Sequence, residues 1–418
     1  MFGVGIGIRV GGTGFGGGGG FDPAAQAYID ALAADGYPLE APEQTYINTL
    51  VTDFKSAGIW SKMKAIYPYC TSQRNLIGYS EDFGNAAWSK TGATVTTNDI
   101  LAPNGTLTAD KVVFSSSSSE IFQGISSSGN FAVSVYVKGT SGETISFSDG
   151  VGIAGQLFTL NGTWQRIQFS TTASNYQFDV NTYSGATART IWLWGAQLEL
   201  GSTATTYQPI IGSQQGYVAS QMKYNLINPQ DTDAAFRLIF NGGWTFDNNG
   251  ATPNGTNGYA DTKLSPSTSL STSSAHLSFY SRTNSNGAEV EIGSQQPGPY
   301  YDFLEIRTSG VSYYSINSSS YDNVSDANSQ GFYIGNRTLS NDVDLFKSGT
   351  KIKNGTATSS LRPNQQLYLC AFNNNGTTQN YSTKECAFSS IGSGLTDTEA
   401  ANFYTAVQAF QTTLSRNV

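Results

Sequence analysis

The feature that most constrains the fold of this 418-residue chain is an alternation of apolar and polar residues with a period of two. It begins near Arg74 and recurs in short runs almost to the C-terminus. The run FAVSVYVKG, for example, places four apolar side chains on one face: Phe131, Val133, Val135 and Val137. Turn dipeptides such as Asn-Gly and Asp-Gly separate the runs. This pattern predicts a mainly β protein built from antiparallel β-sandwich domains.

Helical periodicity is confined to the two ends of the chain. Asp22-Pro23 is a typical helix start, and the helix that it predicts ends at Gly36. We expect a second helix from about Glu43 to Ser56 and a third short helical segment from Trp60 to about Tyr67. These helices are short and amphipathic, so they require a partner surface.

The strongest helix signal lies at the C-terminal end, from Thr396 to about Arg416. Thr396 and Glu399 have the spacing of a capping box. An apolar stripe follows, which includes Phe403, Val407 and Phe410. One face of this helix is therefore expected to lie on a sheet or beside the N-terminal helices.

Residues 1–20 differ from the rest of the chain. MFGVGIGIRV alternates glycine with apolar residues, which predicts a short strand with one apolar edge formed by Phe2, Val4, Ile6, Ile8 and Val10. The glycine run that follows has no side chains to pack and predicts a flexible tether. A strand on a tether suggests an anchor that docks into another protein, and the alternative is a disordered terminus.

The composition excludes several classes of partner. Only 12% of the residues are charged, the net charge is -8 and the pI is about 4.7, so neither nucleic acid nor an anionic membrane is an expected ligand. No apolar run is long enough for a membrane span, and no secretory signal is recognisable, so we expect synthesis in a cytoplasm. Three cysteines and one histidine predict neither a disulfide framework nor a zinc site.

Three stretches resemble a family of bacteriophage virion proteins with a concanavalin-like, laminin-G-like jelly-roll sandwich. They are LVTDFKSAGIWSKMKAIYPY, NLINPQDTDAAFRLIFNGGWTFDNNGATPNGTNGYADTKL and AFSSIGSGLTDTEAANFYTAVQAFQTTL. In that family the AIYPY segment is followed almost at once by the NLINPQ segment. Here about 150 residues separate the two.

The separating segment resembles a different phage module, a carbohydrate-binding-type jelly roll. The resemblance lies in its opening, NLIGYSEDFGNAAWSK, and its closing, WLWGAQLELGSTATTYQPI. Insertion at a surface loop is easy because loop-closure entropy grows slowly with length. The predicted organisation is an anchor and tether (1–20), a helical segment belonging to the C-terminal domain (21–70), an inserted β-sandwich (74–210) and a concanavalin-like sandwich with a C-terminal helix (217–418).

The sequence shows no convincing catalytic constellation, so we predict a protein that is not an enzyme. His276 has no adjacent motif and is interpreted as an ordinary sheet or loop residue. Glu289 and Glu291 would lie on the same face of a strand, as closely spaced glycosidase carboxylates do. The E-x-D-x-x-E pattern of the glycosidases compared is absent, so we interpret them as solvated residues on an exposed face.

Aromatic residues supply the candidate ligand sites, because their flat faces stack on sugar rings. Trp192 and Trp194 lie two apart in one predicted strand and share a face that Tyr136 could reach. The residues favour the other interpretation, in which this face is the sandwich core and Ile191 and Leu193 point outward.

A second candidate surface lies in PGPYYDF and VSYYSINSSSYDN, where Tyr300, Tyr301, Tyr313, Tyr314 and Tyr321 are interleaved with polar residues. No cofactor is predicted. The laminin-G-like resemblance implies that calcium is possible, with Asp247-Asn248-Asn249 or the pair Asp342 and Asp344 as ligands.

Together these features predict a structural protein of a bacteriophage virion: a fibre, spike or decoration protein made in the host bacterial cytoplasm. It would dock to other virion proteins by its N-terminus and display sandwiches that bind host-surface or environmental glycans. We expect a homo-oligomer, and a trimer by analogy with phage fibres, although no coiled-coil heptads are present. The alternatives are a capsid or tail cement protein and a polysaccharide depolymerase.

Overall fold

The computed structural model describes residues 20–35, 37–72, 75–125, 129–150, 155–173, 176–200, 202–205, 207–210, 219–298 and 300–418. The predicted anchor strand, Phe2 to Val10, lies outside the described residues. As predicted, the fold is mainly β, with antiparallel sheets, a group of N-terminal helices and a C-terminal helix.

The described helices are α1 (Pro23–Ala34), α2 (Ala41–Ser56), α3 (Ala219–Met222), α4 (Pro266–Ser269) and α5 (Asp397–Thr413). The Asp22 side chain caps α1 by accepting from the backbone N–H of Ala24. The predicted capping box of α5 is confirmed, since Thr396 and Glu399 bond each other's backbone N–H groups. No helix among the described residues is long and apolar enough to cross a lipid bilayer.

The third predicted helix is wrong. Trp60–Lys62 forms a single 3₁₀ turn, and Met63–Tyr67 is the strand β1. Ala65 and Tyr67 point into one core and Ile66 into another, so both faces of β1 are buried. A short apolar run that is buried on both faces has no period of two, and periodicity alone does not distinguish it from a helix.

The inserted sandwich consists of two five-stranded sheets formed by residues 89–200. Its strands are β2 (Ser89–Thr91), β3 (Ala93–Ile100), β4 (Ala109–Phe114), β5 (Glu120–Ile125), β6 (Gly129–Gly139), β7 (Thr144–Ser148), β8 (Gln156–Thr159), β9 (Gln165–Ala173), β10 (Tyr176–Asn181) and β11 (Thr190–Leu200). Sheet 1 has the order β2-β5-β10-β7-β8, and sheet 2 has the order β3-β4-β11-β6-β9.

The period-two face of β6 lies in the core between these two sheets, as predicted. Val133, Val135 and Val137 are buried there and belong to the same apolar cluster as Phe147 and Phe178 of sheet 1. The hydrophobic effect that holds the two sheets together therefore comes from the residues that carry the sequence pattern.

The enclosing sandwich consists of β1 and the strands that follow residue 238. They are β12 (Ile239–Asn241), β13 (Trp244–Asp247), β14 (Gly250–Pro253), β15 (Tyr259–Asp261), β16 (Ala275–Ser281), β17 (Ile292–Gln296), β18 (Tyr300–Thr308), β19 (Val311–Ser318), β20 (Asp322–Ser325), β21 (Gly331–Arg337), β22 (Val343–Lys347), β23 (Thr350–Gly355), β24 (Tyr368–Leu369), β25 (Phe372–Asn374), β26 (Thr377–Gln379) and β27 (Cys386–Gly392). Sheet 3 has the order β13-β14-β27-β16-β21-β22-β23, with β1 also paired to β27. Sheet 4 has the order β12-β15-β24-β17-β18-β19-β20, with β25 paired to β17 and β26 to β25.

Sheet 3 is the middle layer of the enclosing sandwich. One of its faces packs on sheet 4, and the other packs beneath α1, α2 and α5. Phe403 of α5 contacts Phe54 of α2 with ring centroids 5.2 Å apart, and Phe332 of β21 at 5.0 Å. The amphipathic helices thus cover the outer face of sheet 3, whereas the outer face of sheet 4 lies on the far side of the molecule from them.

The end of β1, after which the chain leaves the enclosing sandwich, is tightly bonded to the C-terminal part of the chain. β1 pairs with β27 near the C-terminus. The fully buried Arg416 guanidinium donates to the backbone oxygens of Pro68 (2.7 Å), Tyr69 (2.9 Å) and Ala387 (2.9 Å). The precise domain boundaries stay predictions, because residues 73, 74 and 211–218 lie outside the described part of the chain.

Candidate functional site

The face of β11 that carries Trp192 and Trp194 is the outer face of sheet 2. Ile191 and Leu193 alternate with these tryptophans and are fully buried between the two sheets. The interpretation favoured from the residues, in which the tryptophan face is the core, is therefore wrong. Tyr136 of β6 pairs directly with Trp194 and lies on the same outer face.

Trp194 supports this surface and is not itself open to solvent. Its ring lies 5.3 Å from Tyr136 and 4.7 Å from Tyr207, and its Nε1 donates to Thr108 Oγ1 at 2.9 Å. Gly195 makes this closure possible, because it has φ +66° and a Cβ there would lie within 3.3 Å of both tyrosine rings. Only 5% of Trp194 remains exposed, so it does not offer a ring face to a ligand.

Trp192 is the more accessible ring of the pair. It is partly exposed, and its Nε1 donates to Asp99 Oδ2 at 2.7 Å, which fixes the plane of the indole. Lys111 of β4 and Lys138 of β6 pair with it directly on either side. The sequence indicated the tryptophan, and the two lysines became apparent only from the strand register.

The second candidate surface is a shallow cavity of about 140 Å³ on the outer face of sheet 4, which we call the tyrosine cavity. Tyr301, Phe303 and Glu305 reach it from alternate positions of β18. Its lining residues are Val290, Tyr301, Phe303, Glu305, Tyr321, Phe372, Gln379 and Asn380. The cavity is smaller than the roughly 300 Å³ of most small-molecule sites, so it suits one ring of a larger ligand.

Aromatic rings form the floor of the tyrosine cavity. Phe303 lies 5.8 Å from Phe372, 6.0 Å from Tyr301 and 6.3 Å from Tyr321, all measured between ring centroids. Tyr321 is 58% exposed, and Tyr313 packs against it at 5.9 Å. Such edge-to-face contacts hold the rings in fixed orientations.

Polar groups form the rim of the cavity. The Glu305 carboxylate accepts a hydrogen bond from Thr308 Oγ1 at 2.5 Å, and burial raises its pKa. The Gln379 and Asn380 side chains supply amide donors and acceptors. An apolar ring floor with a few polar groups at the edge can stack a sugar ring and bond its hydroxyls.

The predicted tyrosines do not form one site. Tyr301 lines the cavity, and Tyr313 lies beside it through Tyr321. Tyr314 points to the opposite face of β19: it is fully buried in the core, and its hydroxyl donates to the Val343 backbone oxygen at 3.2 Å. The expectation that Tyr314 contacts a ligand is therefore wrong. Tyr300 pairs with Gln296 at the start of β18 and does not line the cavity.

The predicted environment of Glu289 and Glu291 is also wrong. Both precede β17, and both contact the fully buried ammonium of Lys384, at 2.9 Å and 3.0 Å. Burial raises the pKa of Glu291 to about 7. The two carboxylates were expected on an exposed face because their cationic partner lies more than 90 residues away in the sequence. Their geometry is that of a structural ion-pair cluster.

His276 is an ordinary sheet residue, as predicted. It is fully buried in β16, with Nδ1 2.6 Å from the Ser393 backbone oxygen and Nε2 3.0 Å from Ser390 Oγ. Burial lowers its pKa to about 4, so the imidazole is neutral near neutral pH. A ring enclosed in this way does not act as a base on an outside ligand.

The proposed calcium ligands are engaged in local contacts. Asp342 accepts from the backbone N–H of Leu339 at 2.7 Å, and Asp344 forms an ion pair with Lys351 at 2.8 Å. Asp247 accepts from the backbone N–H of Asn249 at 2.6 Å. Over the described ranges, no three His, Cys, Asp or Glu side chains converge on a point that could hold a metal. Calcium binding stays a prediction.

A larger cavity, of about 510 Å³, lies at the junction between the two sandwiches and not at either aromatic surface. Its walls include the carboxylates of Glu43 and Glu199. Ser72 Oγ donates to Glu43 at 2.8 Å, and the Thr205 backbone N–H donates to Glu199 at 2.9 Å. Because both carboxylates are already engaged by donors on their own side of the junction, we interpret this cavity as a space between domains.

No protein-family model matches the chain, and no curated protein matches it. Among solved structures, the CBM22-1 xylan-binding domain of Paenibacillus barcinonensis Xyn10C aligns with 34% of this chain and 96% of its own, at 14% identity and a TM-score of 0.22. The enzymatically active domain of bacteriophage CBA120 tailspike protein 4 aligns with 30% of this chain, at 18% identity and a TM-score of 0.22, and this chain covers 21% of it. The binding domain of Paraclostridial Mosquitocidal Protein 1 aligns with 43% of this chain and 48% of its own, at 12% identity and a TM-score of 0.31. Likenesses this distant do not bear on what the chain binds.

Proposed function

We propose that the protein is a non-enzymatic structural component of a bacteriophage particle that binds glycans through the tyrosine cavity of sheet 4. The observation that carries the glycan part is the cavity itself. The largely buried rings of Phe303 and Phe372 form its floor, Tyr321 provides an exposed ring, and Glu305 and Asn380 provide polar groups at the rim. This combination suits a pyranose ring, which has an apolar face and a polar edge.

The position of the cavity supports the same proposal. The helices cover the outer face of sheet 3, so that face is occupied by the protein's own core. The outer face of sheet 4 instead carries a separate hydrophobic cluster of Val290, Phe303 and Phe372, against which Tyr301 and Tyr313 pack. Aromatic rings grouped on an outer face, with one ring more than half exposed, are typical of a recognition surface.

The state of the candidate catalytic residues supports a binding role. Glu289 and Glu291 form ion pairs with Lys384, and His276 of β16 is fully buried beside Ser390 of β27. A retaining or inverting glycosidase needs two carboxyl groups that face the substrate from either side. These residues do not have that arrangement.

The virion part of the proposal is supported by the sequence resemblance to bacteriophage structural proteins. A fibre, spike or decoration protein is present in many copies, and many copies convert weak single-site affinity into strong adhesion. A shallow 140 Å³ cavity fits weak single-site binding. We propose that residues 1–20 dock into another virion protein and that the assembled form is a homo-oligomer, with a trimer as the first candidate.

A glycan array probed with the multivalent full-length chain tests the proposal. We expect binding to a subset of glycans and about fivefold weaker binding for Tyr321→Ala, since an aromatic contact contributes about 1 kcal/mol. Leu339→Ala is the matched control, because it removes a similarly exposed apolar side chain that does not line the cavity. Wild-type protein that bound no glycan, or a Tyr321→Ala variant that bound as well as wild type, would overturn the glycan assignment.

A second candidate function is cement between neighbouring virion subunits. The turn between β3 and β4 carries two exposed leucines, Leu101 (61%) and Leu107 (57%). Exposed leucines of this size favour burial against another protein. Cryo-electron microscopy of the assembled particle separates the candidates: cement requires these leucines to be buried against a neighbouring subunit, whereas adhesion requires the tyrosine cavity to face solvent.

A further inference from the structure

Among the described residues of the inserted sandwich, the cationic side chains form no ion pairs within it. Segment 75–210 contains nine Asp and Glu residues and five cations, namely Lys90, Lys111, Lys138, Arg166 and Arg189. All ion pairs formed between described residues lie outside this segment. Lys90 and Arg189 donate to backbone oxygens. The other three cations lie together on the outer face of sheet 2.

Strand register places Lys111 and Lys138 on either side of Trp192. The tryptophan pairs directly with each lysine, so the three side chains form one row across β4, β11 and β6. Directly paired residues project from the same face of a sheet. Since neighbouring strands lie about 4.8 Å apart, the two lysine backbones are separated by about 10 Å with the indole between them.

Arg166 extends the cationic surface into the next row. It pairs with Tyr136, and its guanidinium carbon lies 5.6 Å from the centroid of that ring. Its Nη2 donates to Ser134 Oγ at 2.8 Å. Its Nε is buried and has no hydrogen-bond partner among the described residues.

We infer that this cationic face, formed by Lys111, Lys138, Arg166, Trp192 and Tyr136, binds acidic glycans, that is, sugar chains that carry carboxylate or phosphate groups. The inference rests on the proposed function, which is glycan binding. It assigns a class of ligand to the cationic face as a second glycan-binding surface. A sugar ring stacked on Trp192 would have cations on both sides. Asp99 lies at the indole Nε1, where it accepts a hydrogen bond and holds the ring in place.

Charge complementarity selects this occupant over a neutral glycan and over nucleic acid. A neutral sugar would leave three cations of the face without counter-charges. A long polyanion such as DNA would meet the overall charge of -8, which opposes its approach. A sugar chain of modest charge density gains both the stacking contact and the local ion pairs.

Binding of the full-length chain to polygalacturonate tests the inference, with methyl-esterified polygalacturonate as the matched ligand in which the charge is removed. We expect tighter binding to the acidic form and a loss of at least about fivefold for Lys111→Gln/Lys138→Gln, the effect of two partly exposed ion pairs. The matched control is Lys64→Gln/Lys353→Gln, which removes the same charge from the enclosing sandwich. Circular dichroism confirms that both double variants are folded.

Several results would overturn the inference. They are equal binding of both polymer forms, equal losses in the two double variants, and no binding of wild type to polygalacturonate, polysialate or a teichoic acid. Single-stranded oligothymidylate bound as tightly, with the same dependence on the lysines, would show a general polyanion surface instead. The proposal for the tyrosine cavity is tested separately. Tyr321→Ala should weaken the binding of array glycans at sheet 4 and leave polygalacturonate binding unchanged.

Discussion

The two sandwiches of this chain differ in how they hold buried charge. The enclosing sandwich pairs buried carboxylates with cations: Arg362 Nη1 contacts both oxygens of Asp302, at 2.8 Å and 2.9 Å, with both side chains almost fully buried. The inserted sandwich holds its buried carboxylates with uncharged donors. Asp110, for instance, accepts from the backbone N–H groups of Phe83 (2.7 Å) and Asn98 (2.9 Å).

This difference explains why the inserted sandwich has cations available on its surface. A carboxylate held by N–H and O–H donors needs no lysine or arginine beside it, so the few cations of the segment remain on the outer face of sheet 2. Burial raises the proton affinity of buried carboxyls in both sandwiches, including that of Glu291 beside Lys384. Burial raises the pKa of Asp110 to about 6 and that of Asp179 to about 7.

The largest expected effect comes from breaking the buried ion pair of the enclosing sandwich. Arg362→Met leaves the Asp302 carboxylate buried without its partner, so we expect a loss of about 3–5 kcal/mol in the free energy of unfolding. The control Lys353→Met breaks a surface pair with Asp322 and should cost less than about 1 kcal/mol. Denaturant unfolding measures both. Equal losses would show that burial does not distinguish the two pairs.

The next effect is the pH dependence of the inserted sandwich. Because the pKa of Asp179 is raised from 3.8 to about 7, its contribution to stability is fully present below pH 3.8 and is lost as the pH rises through 7. The loss amounts to about 4 kcal/mol at 1.36 kcal/mol per pKa unit. Amide hydrogen exchange in β10 should therefore accelerate between pH 5 and 8, after correction for the intrinsic rate, and Asp179→Asn should flatten this trend. If the corrected exchange rate of the β10 amides rose as steeply with pH in Asp179→Asn as in wild type, the raised pKa of Asp179 would not be its cause.

The enclosing sandwich should show the opposite dependence at its histidine. Burial lowers the pKa of His276 from 6.5 to about 4, so its contribution to stability is present above pH 6.5 and is lost as the pH falls through 4, by about 3 kcal/mol. The chain has one histidine, so its imidazole NMR signals are unambiguous. They should titrate near pH 4. A midpoint near 6.5 would mean that the ring is not enclosed by Ser390 and Ser393.

The smallest effect concerns the support beneath the cationic face. Thr108→Val removes the acceptor of the Trp194 Nε1 hydrogen bond while keeping the shape of the side chain, and we expect a loss of about 1 kcal/mol in stability. Thr172→Val, at an exposed position of β9, is the control. Tryptophan fluorescence should report a changed environment for Thr108→Val alone, and equal spectra for the two variants would contradict the role of this bond.

The sequence predicted the fold where one face of an element is buried and the other is exposed. The valines of β6 and the capping box of α5 are in this class. β1 was not predicted because it is buried on both faces, and the tryptophan face of β11 stayed ambiguous because both faces of that strand are rich in large apolar residues. Neither case can be decided from periodicity alone.

The candidate site was predictable only in part. The aromatic residues that the sequence indicated include Trp192, Tyr301 and Tyr313 on outer faces, but the pattern did not distinguish Tyr313 from its buried neighbour Tyr314. Phe303 and Glu305 were missed, although they alternate with Tyr301 along one strand. Phe372 and Lys384 lie far from their partners in the sequence, so only the fold shows these contacts.

The most direct test of the central claim is a crystal structure of the full-length chain with its best neutral ligand from a glycan array. The account predicts a sugar ring in the tyrosine cavity, stacked against Tyr321, with its hydroxyls bonded to Glu305 or Asn380. A ligand bound elsewhere on the molecule, with the tyrosine cavity empty at saturating concentration, would contradict it.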